Sequence, residues 1–243
     1  MRFKLTYALM AVNIVLFLLT ILLTTTLNAF PNDVLRFLGA EFFPDIIAGQ
    51  VWRLILPAFL HGGLIHLLIN MWALWNVGIH IENFYGRRKL FLIYILTGLT
   101  ASLLSVAVTF FGLFTSGSTG QGFAVSIGSS GAIFGLVGIL LGNNYKRDTF
   151  TPPVPINTSG LWIFVIVNLM FGLGINSLGG TVGVNNAAHI GGLIGGFLLG
   201  LYLNPINAYF VSKRKQFVES ALFFASVALL AASFIAHIIF IIT

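Results

Sequence analysis

Gly128-Ser129-Ser130-Gly131-Ala132-Ile133-Phe134-Gly135-Leu136-Val137-Gly138-Ile139-Leu140-Leu141-Gly142 carries no charge, and its glycines recur at intervals of three and four. That spacing draws one smooth stripe along a helix, and a small-residue stripe lets helix backbones approach closely where lipid offers no hydrophobic drive for association. A second stripe, Gly192, Gly196 and Gly200, returns every fourth residue. Two such faces predict a pair of packed helices. The first helix carries Ser130 near its start and the second carries His189, so their packing brings a hydroxyl and an imidazole together.

Outward from these stripes the chain stays apolar. Of its 243 residues 58% are hydrophobic and 7% charged, with a mean hydropathy of +1.00, which excludes an ordinary soluble domain. A helix needs about 20 apolar residues to cross the hydrocarbon. Seven stretches approach or reach that length: residues 7–27, 60–79, 90–114, 126–141, 160–178, 187–203 and 220–241. The fourth and sixth are short, as expected of helices that begin below the surface. Runs such as Leu90-Phe91-Leu92-Ile93-Tyr94-Ile95-Leu96 lack the strict alternation of a membrane barrel. The first stretch is too long for a secretory signal and lacks a small-residue cleavage site. The fold class is therefore an all-α polytopic membrane protein. It is read as one domain over residues 1–243, a core to about residue 204 and an extra helix over about 217–241.

The net charge of +6 reports topology rather than a nucleic-acid partner. Arg2 and Lys4 precede the first span, Arg87, Arg88 and Lys89 follow the second, Lys146 and Arg147 the fourth, and Lys213, Arg214 and Lys215 the sixth. With alternating helices all fall on one side, and only Arg36 and Arg53 fall on the other. The positive-inside rule then sets the amino terminus in the cytoplasm and the carboxyl terminus outside, and the compact form with this charge bias makes a bacterial plasma membrane the expected location. The long connection 28–59 is partly apolar and is expected in the interface, with Trp52 at headgroup depth. Residues 114–125 read as a flexible external loop and residues 151–155 as a stiff cytoplasmic linker. His80 and His237 read as interfacial. With no cysteine, disulfides and thiol catalysis are excluded.

Ser130, His189, His66 and Asn70 all fall at similar depth on the external side of their spans. His66 and Asn70 are four residues apart and share one face. Histidine inside a span is costly, which makes a functional role the default reading. A serine hydroxyl becomes a useful nucleophile only when a neighbouring imidazole takes its proton. The oxyanion that follows needs donors, for which the Ser129 and Ser130 backbone N–H groups and the side chains of His66 and Asn70 are placed. Of the six acids, Asp33, Glu41, Asp45, Glu82, Asp148 and Glu219, none lies in a span at that depth. The expectation is a Ser130–His189 dyad acting inside a membrane, with the ring of Phe134 packed on His189 where a carboxylate often stands. No metal or other cofactor is expected: His61, His66 and His189 form no His-Glu-x-x-His motif, and no two aspartates lie in spans.

These residues resemble the rhomboid family of intramembrane serine proteases. The resemblance runs from Trp52-Arg53 through His61, His66 and Asn70, then Glu82 and Gly86, to Gly128-Ser129-Ser130-Gly131 and the His189, Gly192, Gly196 pattern. It implies a six-helix core, Ser130 as nucleophile, His189 as base, and His66, Asn70 and backbone amides as oxyanion donors. The first loop would be a structural wing half-sunk in the membrane, and the seventh helix an addition to the core. Implied substrates are single-span membrane proteins, cut near the outer end of the segment. The rival expectation is a silent relative that binds transmembrane clients without cutting them.

Overall fold

The computed structural model describes residues 4–116, 124–146, 154–177, 183–206 and 211–243. Arg2, Arg147, Asp148 and most of the two connections at 114–125 and 151–155 lie outside the described residues. The described architecture is helical: α1 (Leu5–Thr26), α2 (Pro31–Phe37), α3 (Phe43–Ile47), α4 (Leu64–Ser116), α5 (Ser130–Tyr145), α6 (Thr158–Ser177), α7 (Asn186–Tyr202) and α8 (Lys213–Ile242). Two 3₁₀ turns, Val51–Leu54 and Leu56–Phe59, lead into α4.

Helix α4 covers the second and third expected spans. Straight, its 53 residues would extend about 80 Å at 1.5 Å per residue, far beyond a bilayer. Gly86 breaks it with φ 78° and ψ 167°, a left-handed backbone that glycine adopts without a Cβ penalty. Two limbs result, residues 64–85 and 87–116. The break is latched from outside, since the Phe84 carbonyl accepts the Ile206 N–H at 2.8 Å.

Two helices start later than hydropathy alone suggests. α4 begins at Leu64 rather than Leu60, after Gly62-Gly63, and α5 begins at Ser130 rather than Ser126. In both cases irregular backbone precedes the helix: Leu60-His61-Gly62-Gly63 before α4 and Ser126-Ile127-Gly128-Ser129 before α5. Leu60 is 1% exposed, and Gly128 takes φ +124° just before the helix.

The core forms around α5, α7 and the second limb of α4. Every residue of α5 from Gly131 to Asn143 is buried. A Cβ built on Gly192 or Gly196 would overlap the carbonyl oxygen of Gly131 or Gly135, and one on Gly200 the carbonyl of Ile139. From the other side, Thr97 and Ala101 of α4 occupy the space next to Gly135 and Gly131. The two glycine stripes thus meet as expected, with a third helix wedged against them.

The first loop is a packed element. Arg53, 3% exposed, donates to the carbonyls of Arg36 at 2.7 Å and Ala40 at 2.8 Å, to Gln50 Oε1 at 2.7 Å, and pairs with Asp45 at 3.3 Å. Trp52 sits against α8, with ring centroids 5.4 Å from Phe240 and 6.2 Å from His237. Trp52 and His237 therefore face each other rather than standing separately at an interface, and His237 is buried. At the opposite end of the bundle Glu82 caps α1, which has no side-chain cap of its own. Its carboxylate accepts the N–H groups of Leu5 and Thr6, each at 2.9 Å, and the Thr6 hydroxyl at 2.8 Å. A carboxylate at a helix N-terminus satisfies free donors and meets the positive end of the dipole.

Candidate active site

Ser130 is the first residue of α5 and His189 lies in the first turn of α7. The glycine seam holds these helices at backbone contact, which places Ser130 Oγ 2.9 Å from His189 Nε2. His189 is buried, and the Phe134 ring, one turn along α5, stacks on the imidazole with centroids 4.3 Å apart and planes 6° from parallel. Phe134 is backed in turn by Phe164 of α6 at 5.5 Å. Among the described residues His189 Nδ1 is buried with no hydrogen-bond partner, so the ring is oriented by stacking and by the seam rather than by a carboxylate.

Gly128 is glycine for two reasons. Its φ of +124° disfavours any other residue, and a Cβ there would come within 2.8 Å of His66 Cε1 and Nε2. That same point lies 3.6 Å from Ser130 Oγ, so the missing side chain leaves a small space bounded by the His66 ring edge and the Ser130 hydroxyl. His66 also contacts His61, with centroids 5.0 Å apart. His61 is fully buried, with Nε2 3.5 Å from Ser129 Oγ. The segment is anchored from below by the Gly128 N–H, which donates to the Pro57 carbonyl at 3.0 Å.

Not every expected residue converges on this space. The Asn70 side chain donates one of its two N–H groups to the His66 carbonyl on its own helix at 3.0 Å and is not hydrogen-bonded to Ser130. Asn13, Asn76, Asn144 and Asn168 do the same within their helices, which is how an amide in an apolar span satisfies itself locally. Trp52, Arg53 and Glu82 are fixed elsewhere, the first two in the loop and Glu82 at the far end of the bundle. Gly192 and Gly196 serve the seam, and Gly131 meets both Gly192 and Ala101.

Sequence reasoning missed a second polar cluster next to Ser130 and His189. Glu41 is 6% exposed and accepts a very short hydrogen bond from the Ser105 hydroxyl of α4. Asn185 caps α7, its Oδ1 accepting the Ala188 N–H at 3.0 Å, while its Nδ2 donates to Ser105 Oγ at 2.6 Å and Ser126 Oγ at 3.0 Å. An Asn three residues before an alanine and four before the histidine was the available N-cap signal. For Glu41 no local pattern existed.

The Rhomboid domain profile matches residues 48–206, which takes in the loop anchor, the α5–α7 pair and everything between. The chain is 33% identical over 210 residues to "Rhomboid protease GluP" of Bacillus subtilis (strain 168), covering 86% of this chain and 36% of that protein. It is 33% identical over 217 residues to "RHOMBOID-like protein 5" of Arabidopsis thaliana, covering 83% and 65%. It is 31% identical over 186 residues to "Rhomboid-like protease 2" of Toxoplasma gondii, covering 72% and 58%. The chain thus spans between about a third and two thirds of the length of these relatives. With a domain match across most of its length and the apolar helices to cross a bilayer several times, the chain belongs to the rhomboid family, as a multi-pass membrane protein.

Proposed function

We propose that the protein is an intramembrane serine endopeptidase that cuts single-span membrane proteins near the outer end of their transmembrane segment. The observation that carries this reading is the 2.9 Å approach of Ser130 Oγ to His189 Nε2 beneath a stacked Phe134. Relatives named as proteases support it.

In this reading neutral His189 carries its proton on Nδ1, and Nε2 accepts the Ser130 hydroxyl proton as Oγ attacks the scissile carbonyl carbon. The carbonyl oxygen becomes an oxyanion in the space beside Gly128, within reach of the His66 ring edge and the N–H groups at the start of α5. The Asn70 amide has two N–H groups, and its bond to the His66 carbonyl uses one, which leaves the other as an oxyanion donor. The protonated imidazole then gives its proton to the leaving amine as the C–N bond breaks. Water, deprotonated by the same nitrogen, releases the acyl group and restores the serine. With the amino terminus in the cytoplasm, this chemistry takes place on the outer side of the membrane.

The test is cleavage of a single-span reporter by the intact protein and by Ser130→Ala in the same lipid, alongside labelling by a fluorophosphonate. Cleavage and labelling by the first and neither by the second establishes the nucleophile. Cleavage by both overturns it. Reporter bound but uncut and unlabelled by the intact protein makes the chain a binder of transmembrane clients.

A further inference from the structure

Two short segments lead into the dyad, and both are tied to the same acid. Ser126 lies four residues before Ser130, and Asn185 four residues before His189. Glu41 and Ser126 exchange two backbone hydrogen bonds, at 3.1 and 2.9 Å, the isolated bridge of the structure's described residues. Asn185 donates to Ser126 Oγ and to Ser105 Oγ, and the Ser105 hydroxyl in turn donates a hydrogen bond to the Glu41 carboxyl. The Asn185 carboxamide is thereby used completely, with both N–H groups donating and the oxygen accepting the Ala188 N–H. The His189 N–H donates to the Asn185 carbonyl at 3.2 Å, so the cap and the imidazole sit on one turn.

The donors all point one way, from Ala188 through Asn185 and Ser105 to Glu41. A chain of hydrogen bonds so aligned polarises along its length, each bond strengthening the next. Glu41 is itself held from behind, because Arg53 clamps the carbonyl of the adjacent Ala40 at 2.8 Å.

Resting on the protease reading above, we infer that Glu41 is a positioning residue for the dyad: its carboxyl and backbone fix the spacing of the Ser130 and His189 segments through Ser105, Asn185 and Ser126. It touches neither reacting atom. Burial pushes its carboxyl up to about 7 against the opposing bonds from Ser105 and Ser102, in keeping with an acid enclosed among neutral partners.

The experiment compares the full chain with Glu41→Ala, Glu41→Gln, Asn185→Ala and the Glu41→Ala/Asn185→Ala pair in one lipid. It reads kcat and KM on a single-span reporter, the rate of Ser130 labelling by a fluorophosphonate, and the melting temperature. Glu41→Ala is expected to lower kcat about 10- to 100-fold with KM changed less than about twofold, and to slow labelling in proportion. Glu41→Gln, which keeps an acceptor for Ser105, recovers to within about threefold of the intact protein. The double variant falls no further than the worse single, as members of one chain do. Unchanged kcat and labelling in Glu41→Ala overturns the inference, as does a glutamine variant as slow as alanine with losses that track melting temperature. If Glu41→Ala fails to fold, Ser105→Ala cuts the same chain without removing the acid, and full activity there is equally fatal. An intact protein that neither cleaves nor labels overturns the protease reading and this inference with it. An intact protein that does both, matched by Glu41→Ala, overturns this inference alone.

Discussion

Helices α5 and α6 are neighbours in sequence and similarly apolar, yet they are held in opposite ways. From Gly131 to Asn143 every residue of α5 is buried, and its backbone touches the backbone of α7. α6 turns most of its bulk outward: Ile163, Ile166, Val167, Met170, Phe171 and Leu173 are all more than half exposed. It meets the core through side chains such as Leu161, Val165 and Phe164, and through the Leu169 carbonyl, which accepts from Asn186 at 3.1 Å. Apolar content says that both helices belong in lipid. Only the spacing of the glycines says which one is fixed to its neighbours and which rests against them.

The difference can be broken first at the seam. Gly196→Val drives a branched side chain into the Gly135 carbonyl, a backbone atom that cannot turn aside. We expect a loss of about 3 kcal/mol or more, the upper end of overpacking, read as a fall in melting temperature and in folded yield. The second largest effect concerns the anchor that α5 and α7 share and α6 lacks. Because the Glu41 carboxyl is raised to about 7 from 4.5, the folded protein keeps a proton that the unfolded chain loses across that window. Stability is therefore expected to fall as pH rises from about 4.5 to 7, by at most about 3 kcal/mol. The groups facing the carboxyl are Ser102 and Ser105 of α4, the Ser126 backbone and, through Ser105, Asn185, all uncharged. Arg53 lies one residue behind on the Ala40 carbonyl. Glu41→Gln should flatten the profile relative to the intact protein, measured by thermal melts in one detergent.

At the point where α5 and α6 meet, Phe134→Leu removes the ring that orients His189 but leaves the seam intact. A stacked pair contributes about 0.5–1.5 kcal/mol beyond its area, so the melt should move little while fluorophosphonate labelling of Ser130 slows about tenfold or less. A large loss of stability instead would mean that α6 supports the core through Phe164 more than its exposure implies. The smallest effect belongs to the outer face of α6. Val167→Ala should change stability by less than about 0.5 kcal/mol. A fall as large as that of Gly196→Val would erase the distinction between the helices.

Much of this arrangement was readable in the chain. The glycine intervals bring α5 to α7, and a histidine at the start of an apolar span opposite a serine is too costly to be idle. Other parts were hidden for physical reasons. Leu60 and Ser126 each precede the helix start by four residues, since uncharged irregular backbone passes hydropathy as a helix does. Asn70 reads as an oxyanion donor by type and depth, and its local bond to the His66 carbonyl four residues back, which uses one of two N–H groups, is not legible in the sequence. Glu41 looked like an ordinary loop acid because its partners lie 64 residues away, at Ser105, and farther on at Asn185. Separations of that kind leave no periodic trace.

The carbonyls of Gly131, Gly135 and Ile139 face the bare Cα atoms of Gly192, Gly196 and Gly200 like teeth in matched slots. A slide of α7 by one residue is 1.5 Å along the axis and about 100° of facing, which puts side chains where only hydrogen fits. The next position that meshes is four residues away, about 6 Å, and there Ser130 and His189 no longer meet. Helices α5 and α7 are therefore keyed to each other and move as one body. On the protease reading proposed above, the motion that admits a second helix belongs to the rest of the bundle.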